Sequence, residues 1–169
     1  MHYSVGVEYA LHCLFHLVSL PVKKPIGIKE LASFQGVSES YLSKIFTKLV
    51  KAGLIQSIPG VKGGYELARR PEQISFWDVV EAIEGKQPVF QCRNVIAKSV
   101  IHAGEMEDTS DHGESAAHCR INITMLQAEE QMKQFLKEKT LQWLKETLDQ
   151  ELAPEIQEKT KSWFLQRLG

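Results

Sequence analysis

The sequence predicts a mainly α-helical fold with one small β-hairpin, and three consecutive stretches carry that prediction. Ile28, Leu31 and Ala32 recur at helical spacing, and Gly36 ends the run. A second helical pattern follows, and two short β-prone runs then flank a Pro/Gly-rich tip at residues 59–64. Helix, turn, helix and hairpin in this order predict a winged helix-turn-helix head. The same pattern also fits an ordinary helical hairpin followed by a β-hairpin in another small domain.

The second helix of this head is predicted to begin after an N-cap at Ser38 and to close at Gly53. Apolar residues recur along it at the spacing of one buried face, and they are Leu42, Ile45, Phe46, Leu49 and Val50. The opposite face contains no acidic residue and offers hydroxyl donors and three cations. Its members are Ser40, Tyr41, Ser43, Lys44, Thr47, Lys48 and Lys51. This composition suits a helix that contacts DNA.

We expect these DNA contacts to divide between base edges and phosphates. The base edges are assigned to Ser40, Tyr41 and Lys44, near the start of the helix. The cap residue Ser38 is also assigned to the DNA-binding surface. The phosphates are assigned to Lys48, Lys51 and Lys62. Gly63 and Gly64 carry no side chain, so they would let the wing approach the duplex closely.

Length and composition limit the class of protein. With 169 residues and 43% hydrophobic content, the chain can bury one compact domain plus an extension, or two small domains. No apolar run reaches membrane-spanning length and no signal-peptide pattern is present, which predicts a cytoplasmic protein without a membrane partner. Three cysteines without secretion signals favour thiol or metal chemistry over a disulfide framework.

The net charge of −1 conceals an uneven distribution. Residues 1–71 contain nine Lys and Arg against four Asp and Glu, a net charge of +5. Residues 72–169 contain eleven against seventeen, a net charge of −6. Only the first part can therefore meet DNA, and the acidic remainder is expected to dimerise or to sense a signal.

Helices are also predicted on both sides of the head. The first runs from about His2 to Leu20, and it places Glu8 and His12 one turn apart on one face. Such a pair is a surface ion pair in most proteins, but it can also present two metal ligands. Cys13 points toward the apolar side and is interpreted as a small buried hydrophobe. After the wing, a capping box at residues 75–78 begins a short helix that ends at Gly85.

The second half of the chain contains a polar stretch and then three further helices. Residues 104–114 are predicted to form a mobile loop. From Cys119 to about Lys139 an apolar stripe is longer than the head needs, so we expect it to pair with a second copy of the chain. The stripe consists of Ile121, Met125, Ala128, Met132, Phe135 and Leu136. Two later helices contain tryptophans that are expected to anchor them against the other subunit or against the head.

Residues 41–42, 51–55, 60–67 and 77–85 resemble the IscR/NsrR/RsrR family of bacterial winged-helix transcription regulators. The resemblance covers the head almost completely and continues more loosely through Leu141. It implies a homodimer that binds double-stranded DNA, with a palindromic operator, and whose long helix forms the dimer contact. It also implies, for many members, an iron–sulfur cluster held by three closely spaced cysteines.

This chain departs from the three-cysteine pattern, since it has Cys92 and Cys119 but no cysteine between them. A [2Fe–2S] cluster needs four ligands, and imidazole can replace thiolate on iron. Residues 6–13 resemble the RsrR-like subgroup, in which Glu and His on the first helix of one subunit complete a cluster begun by two cysteines of the other. The resemblance therefore implies Glu8, His12, Cys92 and Cys119 as the metal ligands.

Other interpretations of the two cysteines remain open. They could form a reversible disulfide, bind zinc with His112 or His118, or be inert in a member without a cluster. His102, His112 and His118 are interpreted as solvated loop residues, and no role is assigned to His2 and His16. No nucleophile–base pair or phosphate-cradling loop accompanies these candidates, so an enzyme is not expected and no catalytic residues are predicted.

Together these features predict a DNA-binding regulator that senses redox state or a reactive species through an iron–sulfur cluster. The alternative is a cluster-free winged-helix regulator that responds to a small ligand, thiol oxidation or a protein partner. We expect a DNA-binding domain at residues 1–85, a linker with the cluster-binding loop at 86–118, and a helical dimerisation region at 119–169.

Overall fold

The structure is a computed structural model that describes residues 3–20, 24–86, 88–93, 95 and 119–168. The chain divides into two compact units. The larger is formed by His2–Lys86 together with Leu136–Gly169, and the smaller by Gln87–Phe135. The predicted loop at residues 104–114, together with His2, Pro21, His102, His112 and His118, lies outside the described residues.

The elements follow the predicted order. The helices are α1 (Val5–Ser19), α2 (Ile28–Gln35), α3 (Glu39–Lys51), α4 (Phe76–Glu84), α5 (Arg120–Glu138), α6 (Leu141–Glu151) and α7 (Pro154–Leu165), with a 3₁₀ turn at Pro71–Gln73. The strands β1 (Ile55–Ile58) and β2 (Gly64–Leu67) form an antiparallel pair between α3 and α4. The predicted winged helix-turn-helix is therefore confirmed. No helix among the described residues combines the length and the apolar character that crossing a bilayer requires.

The turn between α2 and α3 forms by the predicted local signals. Gly36 adopts a left-handed conformation with φ of 68° at the end of α2, which costs glycine little. The backbone N–H of Tyr41 donates to Ser38 Oγ at 3.3 Å, so Ser38 caps α3 as expected. The predicted burial of Val50 is wrong, because its side chain is 39% exposed. It lies at the margin of the apolar face, about 80° around the helix from Leu42.

The wing is fixed to the head by backbone and ring contacts. β1 and β2 pair with Ile55 opposite Leu67 and Ile58 opposite Gly64. Ile26, before α2, exchanges two backbone hydrogen bonds with Tyr65 at 3.0 and 2.9 Å. The ring of Tyr65 packs edge-on against Phe46 of α3, with centroids 4.8 Å apart. The wing therefore has a defined position relative to α3.

Polar contacts stabilise both ends of α4, and those at its C-terminal end join it to α1. The predicted capping box is present, since Asp78 N donates to Ser75 Oγ at 3.1 Å and Ser75 N donates to Asp78 Oδ2 at 2.7 Å. At the other end of α4, Glu84 Oε1 accepts from the backbone N and the hydroxyl of Ser4 at 2.9 and 2.7 Å. Ser4 directly precedes α1, so the two helices are joined where one starts and the other ends.

Helices α6 and α7 belong to the same compact unit as the head. Leu141 N donates to Ile74 O at 2.9 Å, and Phe164 is fully buried. Trp163 packs edge-on against Phe34 of α2 at 5.0 Å. Of the two roles predicted for the tryptophans, contact with the head is the one that Trp163 fulfils. The division at residues 86 and 119, with dimerisation assigned to 119–169, stays a prediction.

His16 is a buried histidine for which the sequence predicted no role. Its ring lies among Phe15, Phe34 and Phe164, with centroid distances of 5.6, 4.7 and 5.1 Å. Burial lowers the pKa of His16 to about 4, with a smaller contribution from the nearby imidazole of His12. The imidazole is therefore neutral in the folded protein at pH 7.

The lowered pKa of His16 predicts a loss of stability in mild acid. Between its ordinary value of 6.5 and about 4, the unfolded chain binds a proton that the folded chain does not. The free energy of unfolding should therefore fall as the pH drops through this window, by up to about 3 kcal/mol. Urea unfolding of the wild type and of His16→Phe, followed by circular dichroism from pH 7.5 to 4, measures the difference.

The phenylalanine variant lacks the titrating group but keeps an aromatic ring in the same cluster. All other groups titrate in both proteins, so their contributions cancel in the comparison. Parallel curves for the two proteins would show that His16 has no lowered pKa.

Candidate DNA-contacting face and candidate metal ligands

The predicted DNA-contacting residues of α3 lie on its exposed face. Ser40, Lys44 and Lys51 are exposed, and 36% of the surface of Tyr41 is accessible. The ring of Tyr41 packs edge-on against Tyr9 of α1, with centroids 5.9 Å apart. Tyr41 is thus braced by α1 while part of its ring faces outward. If Tyr41 contacts a base, its ring is already held in place by the contact with Tyr9.

Lys48 has a structural contact that the sequence did not predict. Its ammonium donates to the backbone carbonyl of Ile83, in the last turn of α4, at 2.7 Å. A cation at this place satisfies a terminal carbonyl and lies at the negative end of the helix dipole. An ammonium has three donors, so Lys48 can hold this carbonyl and still attract a phosphate.

Arg69 was not among the predicted residues, yet it fixes the end of α3. Its guanidinium donates to the carbonyls of Gly53 and Ala52 at 3.0 and 2.9 Å. These carbonyls have no partner within the helix, and the arginine satisfies both. The side chain comes from the residues after β2, so the end of α3 is tied to the exit of the wing.

The two wing glycines are required by the protein's own packing. A Cβ on Gly63 would lie 2.2 Å from the carbonyl oxygen of Ile58, and one on Gly64 would lie 2.5 Å from the backbone of Ile26. Val61 and Lys62 form the exposed tip beside them. A role of Gly63 and Gly64 in approaching DNA stays a prediction, and Lys62 is the wing residue whose side chain is available for it.

Glu8 and His12 line one cleft on the surface of the larger unit, and both side chains are exposed. The cleft has a volume of about 180 Å³, and its other walls are apolar side chains of α1, α4 and α6. These are Leu11, Phe15, Phe76, Leu144 and Leu148. A carboxylate and an imidazole are therefore available together on a mostly apolar surface.

The three cysteines all lie within the described residues, carry reduced thiols and differ in accessibility. Cys13 is fully buried in the core, as predicted, and burial raises the pKa of its thiol to about 12. Such a thiol is not a thiolate ligand at neutral pH. Cys92 and Cys119 are half-buried and lie in the smaller unit.

Glu129 of α5 holds the segment that leads to Cys92. Its buried carboxylate accepts from the backbone N–H groups of Val89 and Phe90 at 3.0 and 3.4 Å, and from Lys133 Nζ at 2.7 Å. The lysine is the largest of the contributions that lower the pKa of Glu129, and the two backbone donors act in the same direction. The contact therefore holds the segment just before Cys92 against α5, the helix that begins directly after Cys119. No local sequence pattern indicates it, since the partners are 40 residues apart.

The donor set can be tested for its fit to a [2Fe–2S] cluster. Two accessible cysteines in the smaller unit supply two thiolates, and the third cysteine is excluded by its burial. Glu8 and His12 supply the oxygen and nitrogen donors that such a set still needs. Among the described residues, no group of three or more His, Cys, Asp and Glu converges within one chain as a metal site. The donor types present therefore fit a [2Fe–2S] cluster.

Comparison with known proteins supplies the family. The chain matches the Rrf2 family, described as an iron-dependent transcriptional regulator, over residues 3–147. YwgB of Bacillus subtilis (strain 168), named as an HTH-type transcriptional regulator, is 31% identical over 142 residues, which cover 84% of this chain and 83% of YwgB. The transcriptional regulator NsrR of Shouchella clausii (strain KSM-K16) is 34% identical over 94 residues, 56% of this chain and 63% of that protein.

A solved structure shows the same fold. The structure of T. potens IscR matches with a TM-score of 0.64 at 24% identity, over 90% of this chain and 92% of that chain. The expected family resemblance is thereby confirmed, and the placement in an RsrR-like subgroup stays a prediction. The matched proteins are transcriptional regulators and not enzymes, in agreement with the sequence. With its winged helix-turn-helix and a family match over residues 3–147, the chain belongs to the Rrf2 family of DNA-binding transcriptional regulators.

Proposed function

We propose that this regulator acts as a homodimer and senses redox state or a reactive species through a [2Fe–2S] cluster shared between subunits. The single observation that carries the proposal is the division of the accessible donors. Cys92 and Cys119 lie in the smaller unit, whereas Glu8 and His12 lie on one cleft of the larger unit. In the alternative without a cluster, the thiols of Cys92 and Cys119 would respond by reversible oxidation.

The proposed DNA contacts rest on charge and accessibility. Lys44, Lys51 and Lys62 are exposed, and the face of α3 around them contains no acidic side chain beyond the first turn. Tyr41 and Ser40 lie near the start of α3, where the recognition helix of this fold meets base edges. A palindromic operator follows if the regulator is a dimer, since two related heads then face two half-sites.

Substitution of two lysines tests the phosphate contacts. Lys62→Ala and Lys48→Ala should each weaken binding to all DNA sequences alike and lower the salt slope by about one. Lys48→Ala should also reduce the free energy of unfolding by about 1 kcal/mol, because the carbonyl of Ile83 loses its donor. Fluorescence anisotropy on a selected operator and on random DNA, from 50 to 300 mM salt, measures the slopes.

The matched control is Lys159→Ala, an exposed lysine of α7. It should leave affinity and salt slope unchanged. Tyr41→Ala should instead reduce the discrimination between operator and random DNA. The assignment of the DNA face is wrong if Lys62→Ala and Tyr41→Ala behave like the control.

The proposed dimer contact rests on the apolar stripe of α5. Ile121, Met125 and Phe135 lie on one side of this helix and are 69%, 40% and 59% exposed in the single chain. Exposed apolar residues at this spacing indicate a surface that pairs with another helix. A second copy of the same helix provides a complementary surface by two-fold symmetry.

Charged residues on the stripe should separate the subunits. The Met125→Glu/Phe135→Glu double variant should be a monomer, because dimerisation would bury unpaired carboxylates. Leu126→Glu is the matched control, since Leu126 is 47% exposed but lies about 140° around the helix from Ile121. Light scattering gives the mass of each protein. A dimer of the double variant would place the subunit contact on another element.

In the proposed site each side chain has a defined contribution. Cys92 and Cys119 are half-buried and would supply the sulfur ligands, and Glu129 holds the segment before Cys92 against α5. Glu8 and His12 lie on α1, which packs against α3 and α4 of the DNA-binding head. When bound, the cluster would supply a one-electron couple and a reactive centre for small oxidants. Ligation by residues of α1 therefore bears on the head that contacts DNA.

The ligand set and its subunit origin can be tested together. Protein purified without oxygen should be red-brown, and Cys92→Ala or Cys119→Ala should abolish its iron, whereas Cys13→Ala should retain it. Glu8→Ala and His12→Ala should leave a weaker cluster with an altered spectrum. A heterodimer of a Glu8/His12 double variant with a Cys92/Cys119 double variant should retain about half the iron of the parent dimer.

The heterodimer distinguishes a site shared between subunits from a site within one subunit. Only a shared site has all four native ligands in the heterodimer. If all four ligands came from one subunit, neither half of the heterodimer would be complete. Two different affinity tags isolate it, and iron analysis gives the ratio. If the heterodimer is colourless while the wild type is coloured, the cross-subunit site is wrong, and Glu8 and His12 are only a surface pair.

A further inference from the structure

The larger unit contains a cavity of about 340 Å³ that is separate from the DNA-contacting face. Helices α1, α2, α6 and α7 surround it. Phe15, His16 and Phe34 give it aromatic walls, and Phe164 closes the packing behind His16 and Phe34. Its volume and apolar lining are those of small-molecule sites in proteins.

Two polar atoms beside this cavity lack hydrogen-bond partners. Among the described residues, Ser19 Oγ and Gln35 Nε2 are the buried side-chain polar atoms without one. Both residues line the cavity. A buried donor without a partner costs stability, and native proteins leave few of them. Gln35 Nε2 is thus a donor that an oxygen held in the cavity could satisfy.

The interior of the cavity favours an uncharged occupant. Burial lowers the pKa of His16, so the imidazole in the wall is neutral at pH 7. Charged residues at the cavity already have partners, since Lys161 pairs with Glu158 at 3.3 Å and Asp149 pairs with Lys145 at 2.5 Å. An ion transferred into these aromatic walls would lose its hydration without gaining a counter-ion.

We propose that this cavity binds an uncharged aromatic molecule with a carbonyl or hydroxyl oxygen, and that its occupancy changes DNA affinity. The ring would stack against Phe15, Phe34 and His16, and the oxygen would accept from Gln35 and Ser19. Phe34 and Gln35 form the end of α2, directly before the turn that leads to α3. Filling the cavity therefore acts on the helix-turn-helix through α2. This effector site does not require the cluster.

Benzamide is a suitable probe, and toluene serves as its counterpart without polar atoms. Binding to the full-length protein is measured by ligand-observed NMR and by titration of aromatic resonances. Benzamide should bind the wild type. Gln35→Leu should lower the affinity for benzamide by about fivefold or more and leave the affinity for toluene unchanged. The same variant should raise the melting temperature without ligand, because it removes a buried amide nitrogen that lacks a partner.

Two further variants define the site. Gln166→Leu makes the same change at an exposed position outside the cavity and should bind benzamide like the wild type. Thr160→Phe places a ring in the cavity from α7 and should abolish binding of both compounds. Saturating benzamide should change the dissociation constant for a selected DNA duplex by about fivefold in the wild type and not in Thr160→Phe.

Any of four results would overturn the proposal. Benzamide does not bind the wild type, or it binds equally well to Gln35→Leu and Thr160→Phe, so that the compound sits elsewhere. Alternatively, benzamide binds only when dilution has produced monomers, in which case a second copy of the chain covers the cavity. Binding without any change in DNA affinity would refute the coupling through α2.

Discussion

The position of the proposed DNA-contacting face depends on the burial of the apolar face of α3. Leu42, Phe46 and Leu49 are fully buried, and α1, α2 and α4 pack against this helix. Each such side chain stabilises the fold by about 1.5 to 3 kcal/mol through removal from water. A 13-residue helix is marginal by itself, so tertiary packing both forms α3 and turns its cationic side toward solvent. The wing and the preceding helices surround the exposed face of α3, whose orientation is set by the packing of its buried face.

Side chains from distant elements then fix the ends of the helices in this head. Arg69 satisfies carbonyls at the end of α3, and Lys48 satisfies one at the end of α4. Both contacts place a cation where helix carbonyls carry partial negative charge. The same two cations add to the positive charge of the head, so charges that stabilise helix ends would also attract DNA. The effect of removing Lys48 on DNA binding is therefore interpretable only beside its effect on unfolding.

The sequence predicted the parts of this structure that depend on local signals. The turn at Gly36, the cap at Ser38, the hairpin and the capping box before α4 each depend on neighbouring residues, and each is present. The contacts of Lys48 with Ile83 and of Glu129 with Val89 join residues 35 and 40 positions apart, which no periodicity indicates. Val50 was misplaced because it lies at the margin of an apolar face, where packing decides.

For the candidate metal site, the sequence could not predict which side chains are accessible. The family resemblance implied Glu8, His12, Cys92 and Cys119 as metal ligands, but the sequence cannot show how far an imidazole or a thiol is buried. The structure distinguishes accessible Cys92 and Cys119 from buried Cys13, and accessible His12 from buried His16. His12 borders both the cleft of Glu8 and the cavity beside His16. Ligation at the cleft and occupancy of the cavity would therefore act on the same helix. Because α1 packs against α3, each proposed signal would change DNA affinity only if its ligand bound two positions of the head with different free energies. The change would equal that difference.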